Sequence, residues 1–180
     1  MVDTELEINP KNSVHSSLRE SIIEHLFVGG ILKALWLENT TRVEVLKPQV
    51  DNAGYDLVIE CSRSPENNHS IIRYIQLKTS HVGAKRSSVD VSMNLVHKPN
   101  WCVIWIFFNP DTLDLGPFLW FPRLGQPPPN MDQLQTTKHT RGNKADRPGL
   151  REVPKSQFEK LDTIKDVISR LFTKAPITGL

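Results

Sequence analysis

The chain has few cysteines, and their placement excludes two common kinds of small structured site. Cys61 and Cys102 are its two cysteines, and neither belongs to a CxxC pair. A disulfide framework and a zinc ribbon both need more cysteines at regular spacing. We therefore interpret both residues as buried small apolar side chains.

The sequence also lacks long apolar runs and a strong excess of one charge. The apolar run at 101–108 is too short to span a bilayer, and the acidic start of the chain is unlike a secretory signal. The formal net charge of +2 does not by itself imply a nucleic-acid partner. An apolar content of 38% is ordinary for a globular protein. These features predict a single cytoplasmic domain over residues 1–180, with no membrane partner.

Two strand-like stretches, 51–60 and 71–79, carry polar residues at positions that otherwise suit burial. The segment between them has the composition of a turn, which predicts a hairpin. Because side chains alternate between faces along a strand, we expect Asp56 to share a face with Gln76 and Lys78. A buried charge is costly without a partner or a metal, so a site is predicted where these side chains meet. An ordinary ion pair between Asp56 and Lys78 is the structural alternative.

Asp56 followed by Gln76-Leu77-Lys78 resembles the PD-(D/E)XK nuclease superfamily, in the variant in which Gln replaces the second acid. The Gly-Tyr-Asp sequence that ends at Asp56, ahead of an apolar strand, is also similar to that variant. The resemblance implies an α/β protein with a restriction-endonuclease-like core, in which a mixed central β-sheet is flanked by an N-terminal helix and further helices. It also implies a metal-dependent DNA endonuclease that hydrolyses phosphodiester bonds in a restriction or anti-phage defence system.

The resemblance further implies a set of catalytic residues and metal ligands. Asp56, the amide oxygen of Gln76 and the carbonyl of Leu77 would bind Mg²⁺ or Mn²⁺. An amide in place of a carboxylate keeps an oxygen ligand for this hard cation but removes a charge. Lys78 would position and deprotonate the attacking water and offset charge on the phosphate. The candidate catalytic residues are thus Asp56, Gln76 and Lys78.

A helix is predicted from Ser13 to about Glu38, because apolar residues recur there at helical spacing. They occupy most of its circumference, so we expect the helix to be largely buried. Nucleases of the resembled family commonly supply a further metal-binding Glu from this helix, but Gly30 holds the expected place. Glu24 is the further candidate metal ligand, although on an ideal helix it lies about 240° around the axis from Gly30. A solvated Glu24 explains the residue equally well.

Two stretches carry basic residues that would suit a phosphate backbone. Lys85 and Arg86 lie in a loop that leaves the Lys78 strand. The other stretch belongs to the proline-rich segment 122–154, for which no regular element is predicted. Its candidate DNA-binding residues are Lys138, Arg141, Lys144 and Arg147. Solvated loops are the alternative interpretation of both stretches.

The remaining elements follow from local patterns. Residues 101–108 are apolar on both faces, which predicts a central strand. Residues 89–96 alternate as a strand does, whereas 93–98 also suit a short helix before a proline. A capping-box pattern at Ser156-Gln157-Phe158-Glu159 predicts an amphipathic helix over 155–173. Its apolar stripe consists of Phe158, Leu161, Ile164, Val167, Ile168 and Leu171. This helix would pack on the nuclease-like core, about 13–122, or dock a partner protein or a second copy of the chain.

Two function classes stay open. The first is the metal-dependent deoxyribonuclease, and the second is a catalytically inactive nuclease-fold domain that binds DNA or a partner protein. The presence of Asp56 and Lys78 favours the first class. Gly30 in place of a helix acid favours the second.

Overall fold

The computed structural model describes residues 16–40, 42–50, 52–62, 70–138 and 145–172, which form an α/β fold with few helices. The helices are α1 (Ser16–Leu37), α2 (Met93–Val96) and α3 (Ile164–Leu171). The strands are β1 (Val43–Leu46), β2 (Leu57–Cys61), β3 (Ile71–His81), β4 (Ser88–Ser92), β5 (Trp101–Phe108), β6 (Leu115–Phe121), β7 (Thr136–Lys138), β8 (Asp146–Pro154) and β9 (Glu159–Leu161). No helix in these ranges combines the length and apolarity needed to cross a membrane.

The central sheet has six strands in the order β1-β2-β3-β5-β6-β9. β3 and β5 run parallel, whereas the other neighbouring pairs are antiparallel, so the expectation of a mixed sheet is confirmed. β5 lies in the interior of the sheet and is buried on both faces, as its apolar sequence predicts. Cys102 on this strand is fully buried, and loss of hydration raises the pKa of its thiol to about 12. The thiol therefore stays protonated and inert, as expected of a core cysteine.

Helices α1 and α3 pack on one face of the central sheet. The buried residues of α1 recur every four positions and are Ile23, Phe27, Ile31 and Leu35. The opposite side of α1 is not covered by the described chain, and Leu18, Leu26 and Trp36 are 60%, 44% and 70% exposed. The expectation of a largely buried helix is therefore wrong, because only one side of α1 contacts the sheet.

A second sheet, of order β4-β8-β7, covers the other face of the central sheet. Its core residues include Val91 and Val153, which pack in one cluster with Trp105 of β5. Two of its strands lie within 122–154, and a 3-10 helix spans Met131–Gln133, so the prediction of no regular element is wrong for these parts of the segment. β8 could not be predicted from the sequence, because Val153 is its one fully buried residue. The strand therefore lacks the alternation of apolar and polar residues that indicates a half-buried strand. For 89–96 both alternatives occur, since β4 is followed directly by α2.

The last helix begins later than the predicted range of 155–173. Residues 155–157 form a 3-10 turn and β9 pairs with β6, so α3 begins only at Ile164. The capping box is formed by Thr163 and Asp166, and the predicted box at Ser156 does not cap a helix. The apolar stripe does not mark one face of a helix at its start. Phe158 and Leu161 pack in different cores, on opposite faces of the central sheet.

Candidate functional site

A cavity of about 490 Å³ lies between α1 and the adjoining ends of β2 and β3. Asp56, Gln76 and Lys78 all line it, so the structure brings together the three residues that the sequence singles out. Leu57 pairs with Ile75 in the β2–β3 register, which places Asp56 opposite Gln76 at the start of the ladder. The shared face expected from strand alternation is confirmed. The other lining residues are Ser17, Glu20, Ser21, Glu24, Lys47, Leu77, Thr79, Arg86 and Ile106.

Asp56 is anchored to β3 through both its backbone and its side chain. Its N–H donates to the carbonyl of Ile75 at 2.8 Å, and its Oδ2 accepts from the N–H of Leu77 at 2.6 Å. A carboxylate that accepts a backbone hydrogen bond is held in one orientation. This bond fixes Oδ2 against the main chain of β3.

Gly54 determines how closely the Asp56 segment approaches the second sheet. It is buried with φ +76°, a conformation that favours glycine. A Cβ at this position would lie 2.6 Å from the Cβ of Ser92 and 3.1 Å from the backbone nitrogen of Leu95. The Gly-Tyr-Asp sequence thus has a local structural cause, because glycine lets the segment that carries Asp56 pack against β4 and α2.

Gly54→Ala is expected to lower the free energy of unfolding by about 3 kcal/mol, since it adds a steric collision to the strain of positive φ. The substitution should also reduce any activity that depends on Asp56, because the collision displaces the segment that carries Asp56. Gly83→Ala is the matched control, since Gly83 has φ +88° but no atom within 4 Å of its added Cβ. Urea unfolding of both variants checks the difference, and equal losses would show that Gly54 matters only for its backbone angle.

Gln76 connects the cavity to the second sheet. Its side chain is buried, with 8% exposure, and its Oε1 accepts from the N–H of Ser92 at 3.2 Å. An amide oxygen has two lone pairs, so this bond leaves one for a second partner. The structure therefore gives Gln76 a role in joining the two sheets, in addition to its candidate role as a ligand.

Two acids of α1 line the cavity, whereas Gly30 does not. Glu20 and Glu24 line the cavity one turn apart, and Glu24 forms an ion pair with Lys47. The nearest atoms to a Cβ at Gly30 belong to Ile164 of α3, at 3.8 Å, so Gly30 faces the helix packing instead. The expectation that the helix acid should stand at Gly30 is thus corrected. Glu20 is a nearby acid that was not among the candidate ligands, although its spacing of four from Glu24 places both on one side of a helix.

Arg86 is a candidate DNA-binding residue that lines this cavity and also a second one, of about 540 Å³, on the second sheet. Lys85, Lys138 and Arg147 line the second cavity as well. The structure therefore brings together four basic residues from two separate stretches of sequence. The remaining candidates, Arg141 and Lys144, lie outside the described residues.

The first cavity is lined by acidic and basic side chains in equal number. Three carboxylates and three cations line the first cavity, namely Glu20, Glu24, Asp56, Lys47, Lys78 and Arg86. Within the described ranges, no three His, Cys, Asp or Glu residues are grouped closely enough to hold a metal ion by themselves. Comparisons of the chain with protein-family models, curated proteins and solved structures find no match.

Proposed function

We propose that this protein is a metal-dependent DNA endonuclease that hydrolyses phosphodiester bonds, with a restriction-endonuclease-like core. The observation that supports this most is the single cavity that contains Asp56, Gln76 and Lys78 together with acids from α1. The sequence pattern suggested the first three residues, and the fold adds acids of the first helix to the lining of the same cavity. Restriction or anti-phage defence is the biological setting that we propose for it.

The oxygen atoms around the cavity suit Mg²⁺ by their chemistry. Mg²⁺ in proteins is commonly held by one or two carboxylates and keeps several waters, so a compact group of three acids is not required. Asp56 would hold the metal with the carbonyl of Leu77, and the amide oxygen of Gln76 and one α1 acid would complete the set. A divalent metal there would supply the Lewis acidity that phosphodiester hydrolysis needs at neutral pH.

The cations of the cavity have separate roles in this proposal. Lys78 follows Leu77 on β3, so its ammonium group would orient the attacking water beside the scissile phosphate and offset the developing charge. Arg86 enters from the loop after β3 and would contact a phosphate from the other side of the cavity. Lys47 pairs with Glu24 and would keep this carboxylate directed toward the cavity.

A second candidate function is a nuclease-fold domain that binds DNA or a partner protein without cleaving. The observation that favours this alternative is that two candidate metal ligands, Gln76 and Glu24, already have partners within the chain. The oxygen of Gln76 accepts from Ser92, and Glu24 is paired with Lys47, so each group already has one partner within the chain. Under this alternative the acids and bases of the cavity stabilise the fold by neutralising one another.

Cleavage assays separate the two candidates. We expect the purified protein to nick or linearise supercoiled plasmid in Mg²⁺ or Mn²⁺ and to leave it intact in EDTA. Linear duplex and single-stranded DNA should be tested alongside, because they present different backbones to the cavity. No metal-dependent cleavage of any of the three substrates, by a protein that still binds DNA, would favour the non-catalytic domain.

A further inference from the structure

The second cavity lies directly beside the candidate active site. Arg86 lines both cavities, so the loop between β3 and β4 forms the boundary between them. The Nε of Arg86 donates to the carbonyl of Ser88 at 3.0 Å, which orients the guanidinium at this boundary. That bond uses one of the five N–H groups of the Arg86 guanidinium. An anion bound between the two cavities would accept hydrogen bonds from the others. A long anionic molecule in the first cavity would therefore continue past Arg86 into the second.

The second cavity carries more positive than negative charge. Among its described lining residues, Lys85, Arg86, Lys138 and Arg147 are opposed by Asp90 and Glu152 alone. Asp90 accepts from the hydroxyl of Thr137 at 3.0 Å and lies 3.9 Å from Arg147, while Glu152 accepts from the hydroxyl of Ser88. Lys85 and Lys138 form no ion pair with the part of the chain that the structure describes. These two lysines are thus the cations best placed to bind an external anion.

The rest of the lining consists of hydroxyl and amide side chains, contributed by Ser87, Ser88, Gln135, Thr136 and Thr137. No apolar or aromatic side chain belongs to the described lining. Grooves for single-stranded nucleic acid use aromatic side chains as stacking platforms for bases, and nucleotide pockets also need apolar walls. Hydroxyls, amides and cations are instead the groups that contact phosphate and sugar. The lining therefore suits a backbone whose bases point away from the protein, as they do in a duplex.

We propose that the second cavity holds the sugar–phosphate backbone of duplex DNA where it continues from the scissile phosphate, with Arg86 at the phosphate between the two cavities. This inference rests on the proposed nuclease function for the position of the scissile bond. Two consequences follow from a lining that contacts only phosphate and sugar. Binding is nearly independent of base sequence, and a duplex is bound more tightly than either of its single strands.

The test measures binding of a short labelled duplex, and of one of its strands, by fluorescence anisotropy in EDTA at several salt concentrations. Each phosphate contact contributes about 0.9 to the slope of log affinity against log salt for duplex DNA. Lys85→Ala/Lys138→Ala should therefore reduce the slope by about 1.8 and weaken duplex binding at least about tenfold at low salt. The loss should be the same for duplexes of unrelated sequence.

Lys33→Ala/Lys165→Ala is the matched control, because it removes the same charge from exposed positions on α1 and α3 that line neither cavity. It should keep the wild-type slope. Equal losses in the two double variants would overturn the inference, since bulk charge would then explain the binding. Tighter binding of the single strand than of the duplex, or stronger binding of a free nucleoside triphosphate, would overturn it as well.

Plasmid cleavage, measured separately, distinguishes failure of this inference from failure of the proposed function. Cleavage together with an unchanged salt slope in Lys85→Ala/Lys138→Ala would reject the second cavity as a binding site and leave the nuclease intact. A reduced salt slope in Lys85→Ala/Lys138→Ala, when the wild type does not cleave DNA, would reject the proposed nuclease function. The same result would still support binding of the DNA backbone by the second cavity.

Discussion

Asp56→Asn is expected to lower metal-dependent DNA cleavage by at least about a hundredfold, since it removes the carboxylate charge that would hold the metal. The fold should be retained, because an asparagine oxygen can still accept the hydrogen bond that Leu77 donates to Asp56. The measurement is the initial rate of plasmid cleavage in Mg²⁺, with thermal unfolding as the check on folding. Excess Mn²⁺ should restore part of the activity, because the remaining oxygen still ligates weakly.

Two further variants make this result specific to the cavity. Lys78→Met removes the ammonium group but keeps most of the side-chain volume, and it should lose cleavage to a similar extent. Glu44→Gln neutralises an exposed carboxylate on β1 that does not line the cavity, and it should cleave as the wild type does. Wild-type rates in Asp56→Asn would remove Asp56 from the proposed chemistry. The salt slope of duplex binding in EDTA should be nearly unchanged in Asp56→Asn and Glu44→Gln, because neither variant removes a cation.

The hairpin and the central strand were predictable because their signals are local. Alternation of side chains fixes the relative faces of Asp56, Gln76 and Lys78 once β2 and β3 pair, and the register confirms that they share a face. Residues 101–108 are apolar without alternation and rich in β-branched and aromatic residues, as expected of an interior strand. Sequence alone therefore supplied the half of the candidate site that depends on one pair of neighbouring strands.

The α1 half of the site depends on tertiary packing, and the sequence does not determine it. α1 is apolar around most of its circumference, so its pattern does not show which side meets the sheet. In the structure, Phe27 and its neighbours one turn away face the sheet, which turns Glu20 and Glu24 toward the cavity. Gly30 meets Ile164, whose helix begins more than a hundred residues later in the chain. No local pattern contains such a contact.

The second sheet was missed for a related reason. β8 pairs with both β4 and β7, and half of the residues of β7 and β8 are exposed, so these two strands bury too little apolar surface to leave a periodic signal. β8 is held as a strand by its pairing with β4, which is distant in sequence, and β7 pairs in turn with β8. The same polar composition that hides these strands supplies the hydroxyls and cations of the second cavity.

Arg73 stabilises the contact between the C-terminal helix and the central sheet. Its side chain is only 4% exposed, and its Nε and Nη2 donate to the carbonyls of Leu171 and Arg170 at 2.7 and 3.3 Å. These carbonyls belong to the last turn of α3, where no further turn of helix satisfies them and the helix dipole is negative. Burial lowers the pKa of the Arg73 guanidinium, which reflects the cost of removing this charge from water. The hydrogen bonds to the helix end offset that cost.

Arg73→Met should lower the free energy of unfolding by about 3 kcal/mol, because it leaves two carbonyls in a largely buried setting without their donor. Arg73→Lys should lose less, since it keeps the charge but not the planar set of donors. Arg42→Met, at an exposed position before β1, is the control and should change stability by less than about 0.5 kcal/mol. Urea unfolding measures all three, and hydrogen exchange should show α3 amides opening faster in Arg73→Met. If Arg73→Met were as stable as Arg42→Met, apolar contacts of Val167, Ile168 and Leu171 alone would hold the helix on the sheet.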